Sequence, residues 1–269
     1  MMTFVDLPLL ENDLDAPSMI EPARVVSAID AARPMVLCFF SEVLDALAAR
    51  ADARRMQALA WAHGEHPVHE ITHRGRSLAV MHPGVGAPLA GALLEEAIAL
   101  GYRTFIAVGG AGALLPDLVM GHAVVVQSAL RDEGTSFHYL APARTVDADA
   151  AGVAVLEETL RDAGLPFVTG RTWTTDAPYR ETPTRVRRRT EEGCLTVEME
   201  ASAFIAVARH RGVSFAQVLY AGDSLAGPDW EHRDWTTATT VRQRLFWIAA
   251  DACLRLDSQR HDQQPDTFD

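Results

Sequence analysis

The sequence predicts an α/β fold in which helices cover both faces of a central sheet. Apolar runs of strand length alternate along the chain with longer segments of helical periodicity. These runs are continuously apolar, which is typical of strands buried on both faces. The chain has 269 residues, 48% of them hydrophobic, and no Pro/Gly/Ser-rich linker divides it. One large core in a single domain is therefore expected.

The predicted elements follow in chain order. The strands are expected at residues 77–82, 103–108, 123–130, 167–173 and 215–221. The helices are expected at residues 42–50, 88–100, 150–164, 198–211 and 241–256. Leu89, Leu93, Ala97 and Leu100 share one face of the second helix, and Gly101 is a natural helix stop. We expect residues 1–34 to form an N-terminal extension, 35–256 the domain and 257–269 a polar, frayed tail.

Charge and composition exclude several classes of function. The net charge of -12 provides no basic face for nucleic acid. The one basic cluster is predicted to lie on a solvated helix face; it comprises Arg185, Arg187, Arg188 and Arg189. The sequence contains no lysine, which excludes a Schiff-base enzyme, a P-loop NTPase and a protein kinase.

The location and the metal content of the protein are predicted from its apolar runs, its N-terminal charge and the spacing of its cysteines. No apolar run reaches the roughly 20 residues that span a bilayer, so no membrane association is expected. The acidic N-terminus does not resemble a secretory signal. Cys38, Cys194 and Cys253 are too widely spaced for a disulfide framework or a zinc site. We therefore expect a cytoplasmic protein without a metal or a cofactor.

Two glycine-rich segments follow predicted strands. His82 and Gly84 belong to HPGVGAP, which leads into a helix, and Gly109 and Gly110 begin a predicted loop over residues 109–112. Glycines at such places let backbone N–H groups approach an anion or a sugar. The alternatives are a tight strand-to-helix turn for the first segment and close packing of sheet on helix for the second. His82 has a similar alternative, since it could pack and make only a local hydrogen bond.

Two further segments carry carboxylates. Glu198, Met199 and Glu200 lie where a strand becomes a helix, and Asp223 follows the strand at 215–221. A carboxylate at the first place can accept both hydroxyl protons of a ribose diol, with methionine as an adaptable apolar surface beneath the sugar. Asp223 is well placed as a general acid. The alternatives are ordinary acids at a helix start and a capping aspartate.

Taken together, these segments resemble the nucleoside phosphorylase family, which includes uridine phosphorylases, bacterial-type purine nucleoside phosphorylases and the methylthioadenosine/S-adenosylhomocysteine nucleosidases. The likeness is collinear from about Met35 to Leu256. Its strongest parts are HPGVGAP, RTFIAVGGAGALLP, RDEGTSFHY and VEMEASAFIAVARHRG. The resemblance implies a three-layer α/β/α sandwich around a large mixed, partly barrel-like sheet.

The resemblance also implies residue roles. Glu200, with Met199, matches the residues that hold the ribose, and Glu198 matches an acid that faces the base and sugar. Trp173 falls where the family places an aromatic ring against the base. Asp223 falls on the aspartate that protonates a leaving purine. Uridine phosphorylases lack that aspartate, and the residues with which they bind uracil have no clear match in this chain. The resemblance therefore implies a purine-like base.

The chain departs from the family at the phosphate site. Family phosphorylases use a glycine and an arginine in the first strand-loop, where this chain has Phe39 and Val43. They also use an arginine and a hydroxyl in an R-x-G-[ST] loop, where this chain has Ala107 and Gly110. A phosphate dianion needs charge-assisted donors to leave water. The usual phosphate site is therefore absent from the sequence.

The hydrolytic branch offers another match. Its members place a glutamate in the first loop that activates the attacking water, and Glu42 resembles that residue, although it could equally be a first-turn acid of helix 42–50. Water would then be the co-substrate, with Glu42 as base and Asp223 as acid.

Two alternatives remain from the sequence. One is a phosphorylase with phosphate as co-substrate and a relocated anion site, with candidates Arg24, Arg33, Arg131 and Arg180. The other is a non-catalytic nucleoside-binding protein. Because family members complete their pockets across subunits, the resemblance also implies a homo-oligomer, as a dimer, trimer or hexamer.

Overall fold

A computed structural model describes residues 7–11, 13–29 and 34–263. Its strands are β1 (Pro34–Cys38), β2 (Arg54–Trp61), β3 (Gly64–His73), β4 (Arg76–Met81), β5 (Thr104–Ala113), β6 (Ala123–Asp132), β7 (Thr145–Asp147), β8 (Phe167–Thr175), β9 (Cys194–Glu198) and β10 (Ser214–Ser224). Its α-helices are α1 (Pro22–Val25), α2 (Ser41–Ala48), α3 (Ala87–Leu100), α4 (Ala150–Asp162), α5 (Pro183–Glu191), α6 (Ala201–Arg211) and α7 (Thr239–Gln263). Short 3-10 turns lie at Pro8–Leu10, Thr135–His138, Pro178–Arg180 and Trp235–Thr237.

The strands form one mixed sheet that is partly closed. Strands β10, β6, β8, β9 and β5 follow one another, and β5 also pairs in parallel with β10, so these five strands form a ring. Strands β1, β4, β3 and β2 extend the sheet outward from β5. The pairing of β1 with β4 and β5 is parallel, whereas β2, β3 and β4 pair antiparallel. The expected mixed, partly barrel-like sheet is confirmed.

Two apolar cores lie on opposite faces of this sheet. Along β1, Met35 and Leu37 pack into the core beneath α3 and α6, while Val36 and Cys38 pack into the core beneath α2, α4 and α7. This alternation follows from the two-residue period of a strand. Both faces are therefore buried, as the continuous apolar runs predict, and the three-layer arrangement is confirmed.

Local signals explain several helix ends. The side chain of Asp149 accepts a hydrogen bond from the backbone N–H of Ala151 and caps α4. Thr182 caps α5 in the same way, and Pro183 occupies the first turn. Helix α6 ends at Gly212, whose left-handed backbone (φ 64°) is a conformation that glycine adopts without strain.

Four predicted boundaries are wrong by three residues or more. The helix expected from residue 198 begins at Ala201, because Glu198 is the last residue of β9. The expected loop over residues 109–112 is part of β5, and β10 continues three residues further than predicted, to Ser224. These two extensions support each other, because Gly109, Gly110 and Ala111 pair with β10. Helix α7 likewise runs to Gln263 rather than ending at residue 256.

The first residue of the expected polar tail is instead part of the folded domain. Asp257 is buried, and its carboxylate accepts hydrogen bonds from Arg76 (2.8 Å) and from the hydroxyl of Thr104 (3.1 Å). The last residues of the tail, 264–269, lie outside the described residues, as do residues 1–6 of the expected N-terminal extension.

The arginine cluster is only partly on a solvated face. Arg187 and Arg188 are exposed on α5, as expected, but Arg189 is buried. Its guanidinium donates to Asp132 at 3.0 Å and to Glu192 at 2.9 Å. The helix therefore uses part of this cluster to attach itself to the sheet.

In the part of the chain that the structure describes, no helix combines the length and the apolar character that crossing a membrane requires.

Candidate active site

A cavity of about 350 Å³ opens at the carboxyl ends of β1, β5, β9 and β10. This is where open α/β sheets bind ligands. It is lined by Phe39, Phe40, Val85, residues 109–112, Pro178, Glu181, residues 197–200, Gln217, Leu219, Gly222, Asp223, Leu225, Trp235 and Arg242. Six of the ten predicted site residues are among them: Gly109, Gly110, Glu198, Met199, Glu200 and Asp223.

Glu200 is a buried carboxylate that faces this cavity. The backbone N–H of Gly86, at the start of α3, donates to its Oε1 at 2.6 Å. Among the described residues, no side chain donates to Oε2. Burial, followed by the negative charge of Glu198, raises the pKa of Glu200 to about 8. A carboxyl group placed in this way has acceptor capacity left for the hydroxyl groups of a ligand.

Glu198 also touches the cavity, but its oxygens are used by the protein. Its Oε2 accepts the backbone N–H groups of Glu200 (2.7 Å) and Ala201 (2.6 Å), and its Oε1 accepts the hydroxyl of Thr174 (2.6 Å). Burial raises the pKa of Glu198 to about 7. The observed contacts of Glu198 match the alternative role given above, that of an ordinary acid that accepts the free N–H groups at a helix start.

Asp223 lies at the far end of β10 beside a second carboxylate. Its Oδ2 accepts a hydrogen bond from the indole N–H of Trp230 at 2.6 Å. Burial, together with the charge of Asp223, raises the pKa of Glu181 to about 7. Glu181 therefore binds and releases a proton near neutral pH, at the side of an aspartate that lines the same cavity. Sequence reasoning did not select Glu181.

Gly109 and Gly110 form part of the cavity wall because aromatic rings cover them. A Cβ atom on Gly109 would lie 3.0 Å from the ring of Phe39, and one on Gly110 would lie 3.2 Å from the ring of Tyr220. The glycines thus let two rings approach the β5 backbone. Close packing, the alternative considered for this segment, is what the structure shows around them.

His82 and Gly84 do not line the cavity. The N–H of Gly84 donates to Nδ1 of His82 at 3.0 Å, and the imidazole lies edge-on to Phe39 with ring centroids 5.7 Å apart. Burial lowers the pKa of His82, which suits the neutral ring that accepts this bond. Gly84 has φ 77°, and a Cβ there would lie 2.5 Å from Leu89. Both residues shape the turn into α3, and Val85 of that turn reaches the cavity.

Trp173 is placed away from the cavity. Its side chain is fully buried in a satellite core with Val186 and Val197. The indole N–H donates to Asp132 at 2.9 Å, and the guanidinium of Arg189 lies 5.5 Å from the ring centroid. These contacts join α5 to the sheet. The implied role against a base stays a prediction, with no cavity contact in this structure to support it.

Glu42 is not among the lining residues either. It lies at the start of α2 with its side chain 39% exposed, and its Oε1 accepts a hydrogen bond from Nη1 of Arg242 at 2.8 Å. Its role as a base that contacts water stays a prediction. The contact that the structure shows between Glu42 and the cavity passes through Arg242.

Arg242 is a lining residue that sequence reasoning missed. It is buried on the first turn of α7, its Nε donates to the hydroxyl of Tyr220 at 3.2 Å, and its guanidinium lies 5.0 Å from the ring centroid of Phe40 and 5.5 Å from that of Trp235. No acceptor among the described residues contacts Nη2. A lone arginine near the start of a helix has no spacing pattern, so nothing in the sequence distinguished it.

Three of the four arginines proposed for a relocated anion site lie among the described residues, and none of these three lines the cavity. The side chain of Arg131 is held by the hydroxyl of Ser136 (2.8 Å) and the carbonyl group of Ala141 (2.8 Å). Arg24 and Arg180 are exposed on α1 and on a 3-10 turn. Arg33 lies outside the described residues.

The positions that correspond to the family's phosphate site are apolar in three dimensions as well. Phe39 lines the cavity, whereas Val43 and Ala107 are buried in the two cores. Within residues 7–11, 13–29 and 34–263, no group of three histidine, cysteine, aspartate or glutamate side chains is arranged to hold a metal ion. The cavity thus combines apolar walls with a small number of carboxylates, one amide and one arginine.

A partly closed mixed sheet with this cavity at its strand ends is the architecture of the phosphorylase class of α/β folds. The sequence model of the phosphorylase superfamily matches residues 34–254 of the chain. The protein belongs to this superfamily.

Individual relatives agree with this assignment. The chain is 32% identical over 117 residues to a uridine phosphorylase of Thermococcus kodakarensis, covering 44% of this chain and 42% of the relative. It is 30% identical over 149 residues to a guanosine phosphorylase of Halorubrum lacusprofundi, covering 55% and 62%. It is 28% identical over 158 residues to a DeoD-type purine nucleoside phosphorylase of Exiguobacterium sibiricum, covering 57% and 66%. The chain thus spans less than two thirds of each of these relatives.

Solved structures extend the likeness over nearly the whole fold. A uridine phosphorylase of Vibrio fischeri superposes with a TM-score of 0.72 at 22% identity, covering 88% of this chain and 97% of that one. A purine nucleoside phosphorylase of Toxoplasma gondii, in complex with immucillin-H, gives a TM-score of 0.72 at 20% identity, covering 86% and 93%. At these identities the comparison establishes the shared fold.

Proposed function

We propose that this protein cleaves the N-glycosidic bond of a nucleoside with a purine-like base, and that water is the nucleophile. The observation that carries the proposal is that Glu200 and Asp223 line one cavity at the strand ends. One of them can bind a sugar diol, and the other can protonate a leaving base.

Glu200 is suited to the sugar by its surroundings. Its carboxyl group is buried and fixed by the N–H of Gly86, and Met199 provides an apolar surface next to it. Two vicinal hydroxyl groups can donate to the two oxygens of one carboxylate, which selects a cis-diol such as that of ribose. Burial strengthens these hydrogen bonds because water does not compete for the carboxyl oxygens. Donation from two hydroxyl groups favours the ionised carboxylate, so sugar binding lowers a pKa that burial raises to about 8 in the free site.

Asp223 and Glu181 are suited to the base. As the bond from C1′ to the base nitrogen breaks, its electron pair goes to the base, and a proton from Asp223 neutralises the charge that develops there. Oxygen of water bonds to C1′, and the proton that water loses returns the acid to its starting state. One nucleoside and one water thus become one free base and one ribose. Glu181, whose pKa is raised to about 7, supports proton transfer at this end.

Water is favoured over phosphate because little free positive charge faces the cavity. Phe39, Val43, Ala107 and Gly110 replace the residues that bind phosphate in family phosphorylases. The one lining arginine, Arg242, is already paired with a carboxylate at 2.8 Å. A dianion transferred from water to this site would lose hydration without gaining equivalent charged donors.

Phosphorolysis is the second candidate, and a specific observation favours it. Nη2 of Arg242 has no acceptor among the described residues, and the residue lines the cavity. An exposed partner such as Glu42 can also move away from a guanidinium at modest cost. The relatives compared above are, moreover, named phosphorylases.

The test is a panel of purine and pyrimidine nucleosides incubated with the full chain, with and without phosphate. The proposal expects release of a purine base and free ribose in phosphate-free buffer. Base release that depends on phosphate and yields ribose 1-phosphate would replace hydrolysis by phosphorolysis. Saturable binding of nucleosides without any turnover would support a non-catalytic binding protein. Asp223→Asn serves as the matched inactive variant.

We also propose, from the resemblance, that the protein acts in the cytoplasm as a homo-oligomer. Exposed apolar side chains on the N-terminal segment, Met19 (91%) and Ile20 (75%), support an additional protein contact. Light scattering coupled to size exclusion would measure the mass, and a monomer across a range of concentrations would contradict this proposal.

A further inference from the structure

Gln217 is a buried amide without a hydrogen-bond partner among the residues that the structure describes. Its side chain is 1% exposed, and neither Oε1 nor Nε2 meets a donor or an acceptor of that part of the chain. Buried side-chain amides are almost always satisfied, because each unpaired donor or acceptor costs stability. Gln217 also lines the cavity. An amide left unpaired in this position is available to a group inside the cavity.

The neighbours of Gln217 locate it within the cavity. In the sheet it pairs with Ala107 of β5, which in turn pairs with Leu37 of β1. Ala107 stands where family phosphorylases have a phosphate-binding arginine. The neutral amide of Gln217 therefore lies beside the position from which the family's cation is missing.

Gln217 and Asp223 lie at opposite ends of the cavity. Both belong to β10 and are six residues apart, and Leu219 between them also lines the cavity. The pairing of β10 with β5 is irregular between Ala221 and Ser224, which turns Asp223 into the same cavity. Six residues of strand separate their Cα atoms by roughly 20 Å, which leaves room for a nucleoside once both side chains are counted. When the base is placed against Asp223, as the proposed function does, the sugar extends toward Gln217.

We propose that Gln217 is the residue that binds and orients the attacking water. Its Oε1 accepts one hydrogen bond from the water and its Nε2 donates to another oxygen at the site. An amide holds a water in this way without carrying charge, as glutamines that position hydrolytic water in GTPases do. Gln217 is thus a positioning residue, and the attack itself is the step described under the proposed function, on which this inference rests.

A binding experiment tests the inference without requiring turnover. D-ribose carries at C1 the hydroxyl group that derives from the attacking water, whereas 1,4-anhydro-D-ribitol lacks that hydroxyl and keeps the others. Calorimetry of the full chain should show the furanose form of ribose, the ring form that a nucleoside contains, binding about 5- to 10-fold more tightly than the anhydro sugar, the amount that one buried hydrogen bond provides. In Gln217→Met the two sugars should bind within twofold of each other.

A kinetic experiment separates positioning from a structural role. Gln217→Met should lower kcat for the nucleoside by about tenfold or more and change KM by less than threefold. It should also raise Tm by several degrees, because the substitution removes an unsatisfied amide from the interior. Gln127→Met, at an exposed glutamine of β6, is the matched control and should change none of these quantities. If Gln217→Met fails to fold, Gln217→Ala allows the same comparisons.

The outcomes distinguish this inference from the proposed function. If the preference for ribose over anhydroribitol persists in Gln217→Met, the inference is wrong, whatever the activity of the wild type. A loss of kcat that is matched by a large rise in KM would make Gln217 a substrate-binding residue and also overturn it. If the wild type releases no base from any nucleoside while the ribose preference depends on Gln217, the proposed function fails and the oxygen-binding role of the amide stands.

Discussion

The indole N–H of Trp230 donates a hydrogen bond of 2.6 Å to Oδ2 of Asp223. The ring itself is 60% exposed, so a surface side chain fixes the orientation of a carboxylate that lines the cavity. One oxygen of Asp223 is thereby occupied, and the other is left to face a ligand. The loop that follows β10 thus takes part in arranging the site.

We predict that Trp230→Phe lowers kcat by about 3- to 10-fold with little change in KM, because one orienting hydrogen bond is lost while the aromatic ring remains. Steady-state kinetics with the best nucleoside of the panel would measure both constants. Trp61→Phe is the matched control, since Trp61 is likewise an exposed tryptophan in a cavity lined by a carboxylate, that of Glu96, away from the candidate site. Equal effects of the two substitutions would contradict the assignment.

Asp223→Asn should lower the release of purine bases by about 10²- to 10⁴-fold, the usual contribution of a general acid. It should lower the hydrolysis of 4-nitrophenyl β-D-ribofuranoside by less than tenfold, because nitrophenolate leaves without being protonated. Absorbance assays follow both reactions, and Asp229→Asn in the exposed loop nearby is the control. A uniform loss on both substrates would mean that Asp223 is not the acid.

The stability of the protein should fall as the pH rises toward 8. Because burial raises the pKa of Glu200 to about 8, from 4.5 in the unfolded chain, the folded state holds its proton over a range in which the unfolded state has lost it. The contribution of Glu200 to the free energy of unfolding is therefore fully present below pH 4.5. That contribution is lost as the pH rises through about 8. We expect Tm to be several degrees lower at pH 8.5 than at pH 6.

Glu200→Gln tests whether Glu200 causes the fall of Tm between pH 6 and pH 8.5. The variant should retain its Tm between pH 6 and pH 8.5 better than the wild type, because an uncharged amide replaces the buried carboxyl group. Calorimetric scans at several pH values would show it, with Glu158→Gln on the exposed face of α4 as the control. A wild-type slope in Glu200→Gln would assign the pH dependence to another group.

Glu42→Gln distinguishes a base from a residue that acts through Arg242. Since Glu42 does not line the cavity and contacts it through Arg242 at 2.8 Å, we expect kcat to fall by less than tenfold. Arg242→Met should be more damaging, with a lower Tm as well, because its buried guanidinium contacts Tyr220 and two aromatic rings. Asp45→Asn on the exposed side of α2 is the control. A loss of 100-fold or more in Glu42→Gln would make it the base after all.

Much of the architecture could be predicted because strand and helix periodicities are local. The continuous apolar run at residues 123–130 predicts a strand, and β6 confirms it. The glycine-rich segment 109–112 predicts a loop, because low strand propensity is a local property. The rings of Phe39 and Tyr220 that cover Gly109 and Gly110 come from distant segments. The register of the strands and the closure of five of them into a ring depend on such contacts between distant segments.

The residues of the candidate site likewise divide into those that a local sequence motif predicts and those that only the folded structure brings together. Glu200 and Asp223 could be selected because they occur in a recognisable order of motif, strand and acid. Arg242, Glu181 and Gln217 could not, because each is an ordinary residue of its element. Their significance arises only when β10, α7 and the segment after β8 meet at one cavity.

The ring of five strands also has a consequence for solubility. Among the strands that the structure describes, closing β5 onto β10 leaves the long sheet with one terminal strand, β2, apart from the three-residue β7 that pairs with β6. An unpaired strand edge invites another chain to add to it. Strand β2 begins with Arg54 and Arg55, both exposed and placed opposite Glu70 and His69 of β3. Charge at this one edge therefore protects the sheet from edge-to-edge aggregation, and neutralising both arginines would expose the protein to it.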